Sequence, residues 1–341
     1  MDKAPVIAIV GGTSLLGREL RDLLAGLPLL TKLIGVDDAE AGTLTEQGGE
    51  PAIITALDEE NLSGARVALL AGSAESSGKA LDVVHRLKHG PALIDLTYLL
   101  EDHPSAHLRA PMVEPAHYAV PPDAEHVVAH PAAVLLAMLL VRINQVHTLR
   151  SAVAHVFEPA SERGHRGIDE LHKQTAGLLT FQKVPKDVFD EQAAFNLLAR
   201  YGSEAHDSLE AIEMRIERHL ATLLALNGTI PMPSLRLIQA PVFHGHSVSL
   251  RVEFDQNPGV LALEHGLAGA QIDVRGADLE PPNIVSIAGQ SGIAVGAITA
   301  DRNDPHAVWL WAVADNIRLQ AENAVGVARA LAGQPGHFGP Q

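Results

Sequence analysis

Gly11-Gly12-Thr13-Ser14-Leu15-Leu16-Gly17 follows an apolar run, Val6–Val10, and opens a stretch with leucines at helical spacing. Glycines at a strand–helix junction let the backbone approach a pyrophosphate. The free N–H groups at the start of the helix attract its negative charge. All seven residues are therefore candidates for holding a dinucleotide. Asp37 stands just past the second strand-like run, where a carboxylate accepts from the ribose hydroxyls of NAD and repels the 2′-phosphate of NADP. Ser73, past a third run, Val67–Leu70, is counted with the same site. NAD is the expected cofactor and NADP the less favoured one. The competing reading is a tight turn that binds no dinucleotide, with Asp37 a solvated loop acid.

The rest of the chain must position that turn. Its 341 residues suggest two domains. Hydrophobic residues make up 47% and aromatics only 4%, so the core is built from Ala, Leu, Val and Ile. There is no cysteine, which excludes disulfides and any thiol nucleophile and fits a reducing compartment. The net charge of −16 repels phosphate backbones and anionic headgroups, so nucleic acid and membrane are not expected partners. The longest apolar run, Pro131 to Val141, is far short of the roughly 20 residues of a membrane span. The chain runs from Met1 straight into Val6–Val10 with no targeting signal, so a cytoplasmic location is expected.

Val6–Val10, Leu33–Val36, Val67–Leu70 and Ala92–Asp95 read as buried parallel strands. Helix-like stretches lie after the first strand and at Lys79–Lys88. This predicts an α/β fold with a Rossmann-type, doubly wound parallel sheet. Past residue 150 the pattern changes. Strand signals at Ser151–Phe157, Leu235–Val242, Ser247–Phe254 and Val285–Ile298 frame helices at Gly167–Leu179 and Leu209–Leu226. This predicts an α+β dimerisation domain with a mostly antiparallel sheet. Residues 1–130 and 316–341 are assigned to the NAD(P)-binding domain, including a final helix Asn316–Leu331 and a frayed Gly/Pro-rich tail from Gly333. Residues 131–315 are assigned to the dimerisation and substrate domain.

Several segments, in order, resemble the aspartate-semialdehyde dehydrogenase family, as a branch without the cysteine. They are the Gly11–Gly17 loop; His130-Pro131-Ala132-Ala133-Val134; Glu158-Pro159-Ala160-Ser161-Glu162-Arg163-Gly164; Ala194-Phe195-Asn196; Ala240-Pro241-Val242-Phe243-His244-Gly245-His246-Ser247; and Trp311 to Arg318. The resemblance implies a homodimer through the second domain and a cleft able to take a small-molecule ligand. In the family a cysteine attacks the aldehyde carbon, hydride passes to NADP, and phosphate resolves the thioester.

The departures fall on that chemistry. The nucleophile position is Ala133, and a methyl group cannot attack a carbonyl. The family glutamine is Glu158, and the acid/base histidine is retained as His246. The arginine that holds the substrate carboxylate is Gln239. Of the two phosphate-holding cations, arginine becomes Glu101 and lysine becomes Glu213, with Arg215 two residues on as the alternative. Glu158 and His246 remain as a candidate acid/base pair or as an ion pair left behind. His244 and His246, two apart on an expected strand, could with Glu158 and His130 make a metal site; no metal is expected. The expectation is a dehydrogenase-like protein without the dehydrogenase reaction. The alternative is an enzyme of altered chemistry, using His246 and Glu158 on a small aldehyde or oxo substrate without a thioester.

Overall fold

The computed structural model describes residues 4–37, 39–121 and 124–333. The tail beyond Gly333 and the second acid of the Asp37-Asp38 pair lie outside them. The chain divides into two units. Unit one is Met1–Ala129 with Gln320–Gln341, and unit two is His130–Leu319.

Unit one holds β1 (Val6–Val10), α1 (Leu15–Leu24), β2 (Leu30–Ile34), a hairpin of β3 (Leu44–Gln47) and β4 (Glu50–Ile53), α2 (Glu59–Leu62), β5 (Val67–Leu70), α3 (Ala74–Arg86), β6 (Ala92–Asp95), β7 (Ala106–Arg109) and β8 (Glu125–Val128). Six strands form a parallel sheet in the order β2-β1-β5-β6-β8-β7. Both faces are covered, so β5 is buried at every position and carries no alternation. Ala8, Val10, Ile34, Leu62, Leu70, Ala80 and Leu93 form one core cluster. From β1 the chain goes first to β2 on one side, then to β5 on the other. The crevice at the carboxyl ends of β1 and β5 is therefore the topological switch point, where open α/β sheets bind ligands. β2 starts and ends earlier than the sequence suggests, because Leu30 pairs with Val6 and Ile34 with Val10.

Unit two holds α4 (Pro131–Val146), β9 (Leu149–Glu158), a 3-10 turn (Ala160–Arg163), α5 (Gly164–Leu179), α6 (Leu209–Leu226), β10 (Ser234–Gln239), β11 (His246–Phe254), α7 (Val260–Leu267), β12 (Ile272–Val274), α8 (Ile284–Ile287), β13 (Ile293–Ala300) and β14 (Ala307–Ala314); α9 (Asn316–Leu331) starts here and continues in unit one. The sheet order is β10-β9-β11-β14-β13-β12. Its four central strands are antiparallel, and a parallel neighbour adds at each edge. β11 alternates strictly between buried and half-buried residues, the signature of a sheet with one packed face. α4 starts with Pro131 at its first position, where a missing N–H is harmless. It is buried almost all round and packs on α6 and α7.

One expectation is corrected. Val285 to Ile298 is not one strand-like stretch. Asn283 and Ser286 form a capping box that starts α8, and Gly289 and Gly292, both at positive φ, turn the chain before β13.

Candidate functional site

The glycine-rich turn sits at the switch point of unit one. Gly11 has φ +86°, and a Cβ there would come within 2.6 Å of the Gly72 backbone. A Cβ on Gly17 would overlap the Gly11 carbonyl. The glycines thus let α1 and the loop after β5 close on the turn. Ser14 caps α1 by accepting from the Gly17 N–H at 2.8 Å, and its hydroxyl donates to the Ala71 carbonyl at 2.7 Å. It staples the two loops together. Leu16 and Gly17 are buried while Thr13, Ser14 and Leu15 are half-buried, so the leucines could serve a ligand through the backbone alone. Ser73 is the exposed cap of α3, paired reciprocally with Ser76.

Asp37 is exposed, and one of its carboxylate oxygens accepts from the N–H groups of Ala39 at 3.0 Å and Glu40 at 3.1 Å. The turn it holds folds Glu40 back toward β1. Glu40 accepts the Thr13 hydroxyl at 2.6 Å and the Val36 N–H at 2.9 Å. Gly35 must be glycine beside it, since a Cβ there would lie 2.9 Å from the Glu40 Cβ. Helix N-terminus, close-approach glycines and a carboxylate past β2 together fit the pyrophosphate and ribose of a dinucleotide. Glu40 escaped the sequence reading because an acid three residues beyond Asp37 has no signature until the turn is closed.

Unit two carries a second polar cluster, centred on buried side chains. His130 caps α4: its Nδ1 accepts from the Ala132 N–H at 3.2 Å, while its backbone N–H donates to His219 Nδ1 at 3.0 Å. Burial pushes the His130 pKa well below its usual range, and the His246, His219, Arg163 and Arg215 charges push the same way, so the ring is neutral. Ala133 is the third residue of this helix and is completely buried.

Glu158 ends β9 and His246 begins β11, both with no exposure. Arg163 Nη2 donates to Glu158 at 2.9 Å, and Nη1 reaches Asp207 at 3.1 Å. Glu162 accepts from the Asn316 amide at 2.7 Å. Burial raises the Glu162 pKa; His246 opposes that shift and Glu158 adds to it. His246 Nε2 lies 3.9 Å from a carboxylate oxygen of Glu158 and 3.9 Å from one of Glu162. That is too long for a direct hydrogen bond. Neither ring nitrogen of His246, nor the free Glu158 oxygen, nor Arg163 Nε has a hydrogen-bond partner. Buried polar groups are nearly always satisfied. A water or a polar ligand atom placed between the imidazole and the carboxylates would satisfy both.

Other predicted positions are engaged elsewhere. Gln239 is fully buried: its amide donates to the Glu158 and Ala240 carbonyls and its oxygen accepts from Tyr201 at 2.6 Å. Glu213 accepts from the Leu237 N–H at 2.6 Å and from Arg236 at 3.3 Å, which ties α6 to β10. Arg215, with His219 of the same helix, is among the charges that reach His130. Glu101 follows the β6 loop of unit one and raises the pKa of Asp95 beneath the larger effect of burial. His244 is exposed ahead of β11, on the far side of Gly245 at φ +85°, so it does not share a strand face with His246. Among the described residues no three His, Asp or Glu side chains are placed to hold a metal.

Residues 143–319 match the profile of the semialdehyde dehydrogenase dimerisation domain. The chain belongs to the semialdehyde dehydrogenase family. It is 30% identical to a USG-1 protein homolog of Pseudomonas aeruginosa, over 95% of this chain and 97% of the other. It is 25% identical to the aspartate-semialdehyde dehydrogenase of Rickettsia bellii, over 97% and 98%. A solved probable aspartate-semialdehyde dehydrogenase from Pseudomonas aeruginosa superposes with a TM-score of 0.82 at 29% identity, covering 96% of this chain and 98% of that one. Family membership extends over both units, so the α4 N-terminus and the His246–Glu158 cluster are the positions at which to read its chemistry.

Proposed function

We propose that this chain is a homodimeric, dinucleotide-binding semialdehyde dehydrogenase homologue that does not form a thioester. The observation that carries the reading is Ala133: the residue in the first turn of α4, beside the neutral His130 cap, is a buried methyl in a chain with no cysteine at all. A helix N-terminus stabilises a thiolate, and this one holds none. Gln239 is turned to Tyr201 and the β9 backbone, away from the role of a carboxylate-binding arginine. A bound nicotinamide ring would supply hydride-transfer chemistry; the residues near Gly11, Gly17 and Ser14 would hold its phosphates, and a carboxylate past β2 favours ribose hydroxyls over a phosphate. NAD is therefore the proposed cofactor.

The homodimer is supported by the sheet of unit two. Its half-buried face presents Val153, His155 and Phe157 from β9 and Ser249 from β11, with Phe157 6.0 Å from Trp311. Such a face suits a second copy. No helix among the described residues is long and apolar enough to cross a membrane.

A second reading rests on the unpartnered atoms of His246 and Glu158. A carboxylate and an imidazole that share one missing partner could relay a proton to a small oxo substrate. Calorimetric titration with NADH tests the binding. Turnover of small aldehydes, compared between the wild type and His246→Asn, separates the two readings: the first expects none, and the second expects turnover that the substitution abolishes.

A further inference from the structure

We infer that Glu40 is the residue that sets dinucleotide preference at the glycine-rich turn, and that Asp37 only positions it. The inference rests on the dinucleotide reading above. At the switch point the adenosine ribose lies against the end of β2, and an acid there accepts from the 2′- and 3′-hydroxyls. Two described acids compete for that role. Asp37 is exposed, and its one engaged oxygen accepts two N–H groups of its own turn, at Ala39 and Glu40. It holds backbone. Glu40 is half-buried and stands between the two edges of the site, with Thr13 of the turn on one oxygen and the N–H of Val36 on the other. Gly35 must stay a glycine beside it, since a Cβ there would lie 2.9 Å from the Glu40 Cβ.

The carboxylate is thus fixed against the turn by two donors, one on each oxygen. Each carboxylate oxygen has further lone pairs, so two hydroxyls can still be accepted. A 2′-phosphate cannot be, because its dianion would meet a carboxylate that the fold prevents from swinging away. Thr13 adds to the discrimination indirectly, by holding Glu40 rather than by touching phosphate.

Titration of the full chain with NADH and with NADPH by calorimetry tests this, read as the ratio of the two Kd values. The wild type should favour NADH by at least tenfold. Glu40→Gln should bring the ratio to within about threefold of one, since an amide can accept from only one of the two donors and carries no charge. Glu40→Arg should reverse the preference. Asp37→Asn retains an oxygen for the Ala39 and Glu40 N–H groups and should keep the wild-type ratio. A Glu40→Gln protein with the wild-type ratio, together with an Asp37→Asn protein that has lost it, overturns the inference while leaving dinucleotide binding intact. A wild type that binds neither NADH nor NADPH overturns the dinucleotide reading itself, and the inference falls with it.

Discussion

Arg163 shows what a single residue does in the buried cluster. Its guanidinium joins Glu158, which has no exposure, to the half-buried Asp207. Removing one partner of a buried pair leaves an uncompensated charge, which costs about 3–5 kcal/mol. Arg163→Met should lower unfolding stability by that amount in a urea titration; a change under about 1 kcal/mol would mean that the cluster is solvated. Ala133→Cys puts sulfur in the first turn of α4. Because Ala133 is completely buried, the introduced thiol should react with small alkylating reagents and resist bulky ones. It should yield no phosphate-dependent reduction of NAD or NADP with aspartate semialdehyde. Lost positioning of the reacting groups can remove up to roughly 7–11 kcal/mol of barrier lowering, and Gln239 cannot replace a bidentate arginine. Mass spectrometry and absorbance at 340 nm read the two outcomes. His246 and Glu158 were legible from sequence through the segments around them. Glu40, Glu162, Arg163 and Asn316 were not, since each acquires its role from a partner brought close only by folding. Helical position alone could not tell that the Glu213 carboxylate binds the Leu237 N–H.

At the scale of elements, the buried central strands were the readable part. β1, β5 and β6 are apolar because both faces of their sheet are covered. β7, β8 and the β3–β4 hairpin went unread. The hairpin is half-exposed and short, and β7 and β8 carry charged and histidine residues. Those residues form a knot that makes a prediction. Arg109 donates to both oxygens of Glu114 and, through Nη1, to His126 Nδ1 at 3.0 Å. Burial first, and then the Arg109 and His107 charges, bring the His126 pKa from 6.5 down to about 4. The unfolded chain takes up this proton near pH 6.5 and the folded one only near 4. Stability from this group is therefore full above pH 6.5 and is lost as pH falls toward 4. The loss should be about 1–3 kcal/mol in chemical denaturation across that window, with the neutral His130 adding in the same direction. His126→Gln should flatten the His126 part of the slope; an unchanged slope would place the proton uptake elsewhere.

For the whole molecule, the expectation is a dimer of twice the 36.1 kDa chain. An interface that stable should bury more than about 2,000 Å² in total. Light scattering should report the dimer at micromolar concentration, and Phe157→Glu, on the half-buried sheet face, should shift it to monomer; an unshifted mass would move the interface to another surface. Sequence order carried this scale well, because the family segments recur along the chain from the glycine turn to α9. It could not show which polar groups of the cluster lack partners, as that depends on distances of a few ångströms between β9, β11 and the 3-10 turn. Absorbance at 340 nm reads whether the dehydrogenase scaffold is retained without its acyl-transfer reaction. Wild-type protein saturated with NAD is mixed with aspartate semialdehyde and phosphate. No phosphate-dependent rise above the rate without protein is expected. A sustained rise that needs phosphate and disappears in His246→Asn would contradict it.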